Sequence, residues 1–222
     1  YLKQSEKILS FNQMNEFQIH FNDNGFPQFF GDDWNRTYAA FRLESERFPG
    51  LTAKDGSYSK QEFIDLQRMG LEYGVRIIPE IDIPAHSLAF AHYKPEIASR
   101  KYGMDHLDLY KKETYQFVDS LLDEYLSGDN PVFIGDLHIG TDEYNKKEAE
   151  QYRYFTDRYL KFVEKYGKNV RMWGGLKWLP GKTPVKAEGV TGNAWSDDWV
   201  DPVVSLQDGY NLINTCDTYL YI

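Results

Sequence analysis

The chain has 222 residues with 34 acids against 25 lysines and arginines, a net charge of −9, and its basic residues are scattered. That excludes the basic stripe a phosphate backbone demands, so neither nucleic acid nor an anionic membrane surface is an expected partner. A single cysteine, Cys216, excludes an intrachain disulfide, and no apolar run nears the ~20 residues of a membrane span.

In chain order, a helix over about residues 2–14 precedes a strand, NEFQIHF (15–21), and the looser stretch 24–58 reads as a long loop. Residues 59–73 open on Ser59 with Glu62 three positions later, a capping box. Phe63, Leu66, Gly70 and Tyr73 then share a face, and Gly74 is placed to end the helix. VRIIPEIDIP follows as a buried strand. The unit recurs: residues 111–127 carry Tyr115, Val118, Leu121, Leu122 and Tyr125 at helical spacing, stop at Gly128, and lead into PVFIGDLHIG. Residues 146–166 align Tyr152, Phe155, Tyr159, Phe162 and Tyr166, stop at Gly167, and lead into NVRMW. Shorter strands are read at GVTGNAW and YNLINTC.

Strands separated by helix-length segments predict an α/β fold with a parallel sheet, in one domain spanning 1–222. Several strands end in polar clusters (HFND, EIDIPAH, HIGTDE) and others in aromatics (MWGG, NAWSDD, DTYLY). Many strand ends converging on one point favour a (β/α)8 TIM-type barrel over an open doubly wound sheet, which also binds ligands at that end. Six strands are read where eight are needed. The barrel is therefore expected to be incomplete, its first and last strands lying outside a chain that begins within a longer protein.

The adjacent acids of HIGTDEY, Asp142 and Glu143, admit three readings. Thr141 or Asp142 could cap the following helix, with Glu143 at its positive end. His20, Asp23, Asp82, His86, His138, Asp142 and Glu143 all lie near strand ends and are plausible ligand types, but their spacing defines no ligand pair, and no metal is assigned. The third reading is glycoside hydrolysis. Side chains of neighbouring residues on a regular strand point oppositely. Both can serve one pocket only if the strand is ending, as Gly140 permits. Such a pair suits one acid/base and one helper better than acid plus nucleophile, so the nucleophile must come from elsewhere, the substrate included.

The ordered set NEFQIHFND, IIPEIDIPAH, HIGTDE, MW, NAW and TYL resembles glycoside hydrolase family 20, the β-N-acetylhexosaminidases and lacto-N-biosidases. The resemblance implies a (β/α)8 barrel, a glycan substrate, no cofactor and substrate-assisted catalysis, in which the sugar's own acetamido oxygen attacks the anomeric carbon. It casts Glu143 as general acid and then base, and Asp142 as the group orienting the acetamide. Tyr219 would hydrogen-bond the attacking oxygen, and Trp173 and Trp195 would wall the sugar. Asp23, Asp82, His86 and His138 would support the pocket, with Asp23 or His86 touching the sugar. Glu143 is expected to start protonated, favoured by the Asp142 carboxylate and a dry pocket. Tyr221 stands where the family often has an acid, leaving room for a disaccharide such as Gal-β-1,3-GlcNAc. The family's sugar-binding arginine and its last-strand tryptophan and acid fall outside the chain, which alone is expected to be inactive. Export of the whole protein is expected from the family's usual substrates. The rivals are a non-catalytic glycan-binding barrel and a metal-dependent hydrolase.

Overall fold

The computed structural model describes residues 2–220. Helix α1 (Leu2–Phe11) leads into β1 (Glu16–His20), and a short antiparallel pair follows, β2 (Asn22–Asn24) with β3 (Ala39–Phe41). Then come α2 (Lys60–Glu72), β4 (Arg76–Ile83), α3 (Leu88–Tyr93), α4 (Lys112–Leu126), β5 (Leu137–Gly140) and α5 (Ala149–Glu164). The chain continues through β6 (Val170–Trp173), β7 (Val190–Ala194), α6 (Pro202–Gln207), β8 (Asn211–Asn214) and α7 (Asp217–Leu220). No helix among the described residues is long and apolar enough to cross a membrane.

The helix boundaries follow their local chemistry. Ser59 Oγ accepts from the Glu62 amide while the Glu62 carboxylate accepts from the Ser59 amide, the full capping box. Gly74, Gly128 and Gly167 all take the positive φ that ends a helix.

Six strands form one parallel sheet in the order β1-β4-β5-β6-β7-β8. Alternation sorts each strand. Ile19, Ile77, Ile81, Ile83, Leu137, Ile139, Val170, Met172 and Val190 join the hydrophobic core. The opposite set, Gln18, Glu80, His138, Arg171 and Asn193, faces inward and is polar. Those inward side chains show that the sheet curls. Gln18 on β1 and Asn193 on β7 are four strand spacings apart, ~19 Å in a flat sheet. Yet Asn193 Nδ2 lies 3.4 Å from Gln18 Oε1. Arg171 on β6 likewise reaches Glu16 on β1 at 2.7 and 2.8 Å, and also bonds Asp136. The fold is thus a six-stranded part of a (β/α)8 barrel.

Three expectations are corrected. Residues 24–58 are not a plain loop: β2 and β3 pair there, a 3-10 turn spans Pro27–Phe30, and Phe41 is fully buried against Phe90. Strands of three residues are too short to show a period. The PVFIGDLHIG strand begins only at Leu137, because the Gln67 amide takes the place of a strand neighbour upstream. It donates to the Val132 carbonyl (2.7 Å) and accepts from the Ile134 amide (2.9 Å). Helices α3 and α6 were not anticipated, although Asp201 followed by Pro202 is a start signal, with Asp201 Oδ1 accepting from Val203 and Val204.

The tightest point is Gly140, where φ is +70° and a Cβ would sit 1.8 Å from Asp82 Oδ1. Gly140→Ala should destabilise the fold by more than ~3 kcal/mol through combined strain and overlap. A denaturation midpoint within error of the wild type would show that β4 and β5 do not approach this closely.

Candidate active site

At the carboxyl ends of the strands lies a cavity of about 660 Å³. The backbone at the end of β5 explains how adjacent acids share it. Gly140 and Thr141 both have left-handed φ (70° and 68°), so strand alternation breaks and Asp142 and Glu143 both line the cavity. Thr141 is buried, its carbonyl accepting from the Tyr152 hydroxyl. The capping reading fails here: Asn145, not Thr141 or Asp142, caps the next turn, accepting from the Lys147 amide.

His86 is delivered by a left-handed backbone of its own, with φ 51°. Buried Asn22 staples this turn to the end of β1, donating to the carbonyls of Asp82 (2.8 Å) and His86 (3.0 Å) and accepting from the Asp82 amide (2.9 Å).

His86 Nδ1 meets Asp23 Oδ1 at 3.0 Å, while its Nε2 lies 3.4 Å from Glu143 Oε2 and 3.5 Å from Asp142 Oδ2. Burial opposes charge on the ring, but the hydrogen bonds to Asp23 and Glu143 prevail and hold it well above the ordinary histidine range. Glu143 responds in the opposite sense to the expectation. Its side chain is 51% exposed, and the hydrogen bond from His86 holds its carboxyl below the usual value. The resting pair is therefore imidazolium with carboxylate. Asp82 and Asp142 are raised, by burial first; the charges of Asp142 and Glu80 add for Asp82, and those of Glu143 and Glu80 add for Asp142.

Beneath them, Glu80 is 1% exposed and accepts from Gln18 Nε2 and Trp173 Nε1, each at 2.6 Å, with His20 Nδ1 at 3.2 Å. Burial works against charged Glu80, but His138 and the His20 bond hold its carboxyl at about 2. His20, desolvated yet bonded to Asp23 and Glu80, is pushed up to about 11. His138 is wholly buried and lowered to about 4 by that burial; its Nδ1 accepts from the Gly140 amide.

Trp173 packs its edge near the His138 ring (centroids 5.1 Å), and Trp195 donates its indole N–H to the Gly174 carbonyl at 2.9 Å. Both line the cavity, locked by their own hydrogen bonds. Four buried oxygens there, Asp82 Oδ1, Asp142 Oδ1, Asn193 Oδ1 and Thr215 Oγ1, have no hydrogen-bond partner among the described residues. Such orphans call for donors from a polar ligand.

The structure thus brings together Asp23, Asp82, His86, Asp142, Glu143, Trp173 and Trp195, with His138 behind them. It does not bring Tyr219, which lies on α7 with 78% of its surface exposed. Tyr221 lies outside the described residues. Sequence reasoning missed Gln18, Glu80, Asn193 and Thr215 as cavity groups; Glu80 was signalled by its spacing of two from Asp82 within an apolar strand. Asp82, His86 and Asp142 could also present ligand atoms to a cation within 4.8 Å of one another, as could His20, Glu80 and Asp82. In each set the histidine has carboxylates at both ring nitrogens, so a metal would first have to displace a proton.

Residues 1–153 match the model of the glycosyl hydrolase family 20 catalytic domain. The chain belongs to that family. Among the curated family 20 relatives, β-hexosaminidase subunit A1 of Dictyostelium discoideum is 30% identical over 56% of the chain and 25% of the relative. The β-hexosaminidase of Akkermansia muciniphila is 24% identical over the whole chain and 50% of that protein. A lacto-N-biosidase of Bifidobacterium bifidum is 24% identical over 89% of the chain and 20% of that protein. The chain thus spans half or less of these relatives. Flavobacterium johnsoniae chitobiase shares the family fold at a TM-score of 0.77 and 22% identity, over 98% of this chain and 36% of that one.

Glu80→Gln should lower His20 from about 11 towards the ordinary histidine range, because the carboxylate that favours its imidazolium is gone. Histidine NMR titration reads this directly; an unmoved His20 would show that Glu80 does not govern its charge.

Proposed function

We propose that the whole protein is a retaining glycosidase acting on β-linked N-acetylhexosaminides, with the substrate's acetamido oxygen as nucleophile. One observation supports this above the others: the buried, partnerless Oδ1 of Asp142, a residue that lines one cavity with Trp173, Trp195 and the Glu143–His86 pair. An acceptor so placed suits the acetamide N–H, and a carboxylate there stabilises the positive charge that spreads onto the nitrogen as the ring forms. The acid pair of one strand supplies no second carboxylate on the opposite sugar face, which is where a protein nucleophile would stand.

In the first step the acetamido oxygen bonds to the anomeric carbon as the glycosidic C–O bond breaks. The leaving oxygen takes a proton from Glu143. At rest that proton sits on His86, 3.4 Å away. A sugar entering the cavity strips water from the half-exposed Glu143 carboxylate, raises its affinity for a proton, and draws the proton across. In the second step Glu143 takes a proton from water as the water oxygen adds to the anomeric carbon, and the acetamide is restored with net retention. Asp23 holds the far side of His86 and keeps the ring aligned. The role of Tyr219 in this scheme rests on the family resemblance alone. Because most such glycans lie outside cells, export belongs to the same proposal, and a disaccharide-releasing specificity is a finer form of it.

In the full-length protein, Glu143→Gln should lower turnover by ~10²–10⁴ on substrates with poor leaving groups. Replacing the substrate's N-acetyl group by hydroxyl should abolish turnover, and brisk hydrolysis would refute the substrate's role as nucleophile. His86→Gln should move the high-pH limb of kcat/KM down by more than ~2 units, from a histidine held above its ordinary range to a carboxylate's own pKa, since only Glu143 would then carry the proton. An unshifted limb would remove His86 from proton supply. Tight glycan binding without turnover on any chromogenic GlcNAc, GalNAc or lacto-N-biose glycoside would replace catalysis by a binding function.

A further inference from the structure

Between β6 and β7, where a (β/α)8 barrel has a crossover helix, residues 174–189 form neither helix nor strand. Residues 195–201, after β7, are irregular as well. Trp195 opens that second segment and lines the chamber. A large ring on an irregular loop keeps one position only when other side chains fix it.

Two hydrogen bonds begin the task. The Asp217 amide donates to the Trp195 carbonyl at 2.7 Å, and the Trp195 indole N–H donates to the Gly174 carbonyl at 2.9 Å. Neither bond covers a face of the ring. Trp199 does that: it lies against Trp195 with ring centroids 5.5 Å apart and planes 33° apart. Trp178 lies against Trp199 in turn, at 4.9 Å and 31°. Rings so close attract one another beyond the apolar area they bury. Both Trp178 and Trp199 also pack on the hydrophobic core, which gives the stack a fixed base.

The two loops are laced together around this stack. Lys177 Nζ donates to the Asp197 carbonyl, and the Gly174 amide donates to the Asn193 carbonyl at 3.0 Å. Gly174 must be bare, since a Cβ there would lie 2.7 Å from Val200 Cγ2. The far end of the stack meets the loop of the acid pair. Lys146, three residues after Glu143, rests its ammonium 3.0 Å from the centre of the Trp178 ring. Trp199 is not among the described residues that line the chamber, so it reaches the sugar site only through Trp195.

We infer that Trp199 is a positioning residue, holding the Trp195 ring in the place where it walls the sugar. The inference rests on the glycosidase reading and adds to it a residue that touches no substrate. An acetamide that attacks its own anomeric carbon must fold back on the ring, and a firm wall confines it to that shape. Displacements of about 1 Å at such a wall can cost ~10²-fold in rate. Without Trp199, space opens behind Trp195 and the indole can retreat into it.

The test follows Trp195 itself in the full-length protein, labelled with 5-fluorotryptophan and with the Trp195 signal assigned through Trp195→Phe. Trp199→Ala should shift and broaden that fluorine resonance, and Trp199→Phe, which keeps a ring in the stack, should restore most of it. Trp199→Ala should also bind the tighter of N-acetylglucosamine and N-acetylgalactosamine about tenfold more weakly than wild type, with Trp199→Phe within about twofold. On an aryl N-acetylhexosaminide the same loss should appear in kcat and be rescued by Phe. Should Trp199→Ala fail to fold, Trp199→Leu, which fills the space without a flat ring, is held to the same outcomes. A Trp195 signal that stays in place overturns the positioning role, and so does an unaltered sugar affinity. A wild type that binds neither sugar overturns it too, since Trp195 then walls no sugar site. If signal and affinity change as expected while wild type hydrolyses no aryl glycoside, the brace stands and the catalytic reading falls.

Discussion

Everything in the interior turns on a single buried carboxylate. Glu80 sits at the centre of the concave face and accepts hydrogen bonds contributed by β1 and β6 at once, with His138 of β5 alongside. Burying an unpaired carboxylate is prohibitive, so the charge persists only because the sheet curls far enough to surround it with donors. Curl and charge are thus mutually dependent. Removing one partner of such an arrangement costs about 3–5 kcal/mol, because the remaining groups stay buried and unmatched. The indole of Trp173 is positioned by the same carboxylate, so the wall of the chamber is set by the group that closes the barrel floor.

Above Glu80 the site stores protons in a fixed pattern. Two histidines, His20 and His86, are held as cations by carboxylates at both of their ring nitrogens, and Asp23 belongs to both. Burial raises Asp82 and Asp142 above the usual carboxylate range. Glu143, at the rim, stays ionised. Beside it, Asp142 Oδ1 has no hydrogen-bond partner among the described residues.

Much of the frame was legible from residues alone. Helix boundaries came from Ser59 with Glu62 and from glycines 74, 128 and 167, since caps and left-handed stops are local physics. Three of the six parallel strands, β4, β5 and β6, follow those stops, and the other three are legible as the short runs NEFQIHF, GVTGNAW and YNLINTC. The acid pair Asp142 and Glu143 stands out in the sequence because adjacent acids after an apolar strand need an explanation, and Gly140 offers one. The short strands β2 and β3 escaped because three residues carry no period. The region before Leu137 was misread because a distant glutamine, Gln67, satisfies a backbone that looked ready for a sheet.

The charge of the site lay beyond any local reading. From sequence, Asp142 beside Glu143 implied a protonated glutamate; in space His86, 57 positions away along the chain, reverses that by sitting against both. Tyr219 had the right motif neighbours, yet its side chain faces solvent, since motif order does not specify rotamer or helix orientation. The indole stack behind Trp195 was equally invisible, assembled as it is from Trp178 and Trp199 on two separate loops. By itself the sequence determined which residues alternate inward, where helices begin and stop, and to which family the strand-end motifs belong, because these depend on short-range spacing. The tertiary structure alone decided which histidines and carboxylates pair and which oxygens go unpartnered, because those depend on distances between segments that only the curl of the sheet brings together.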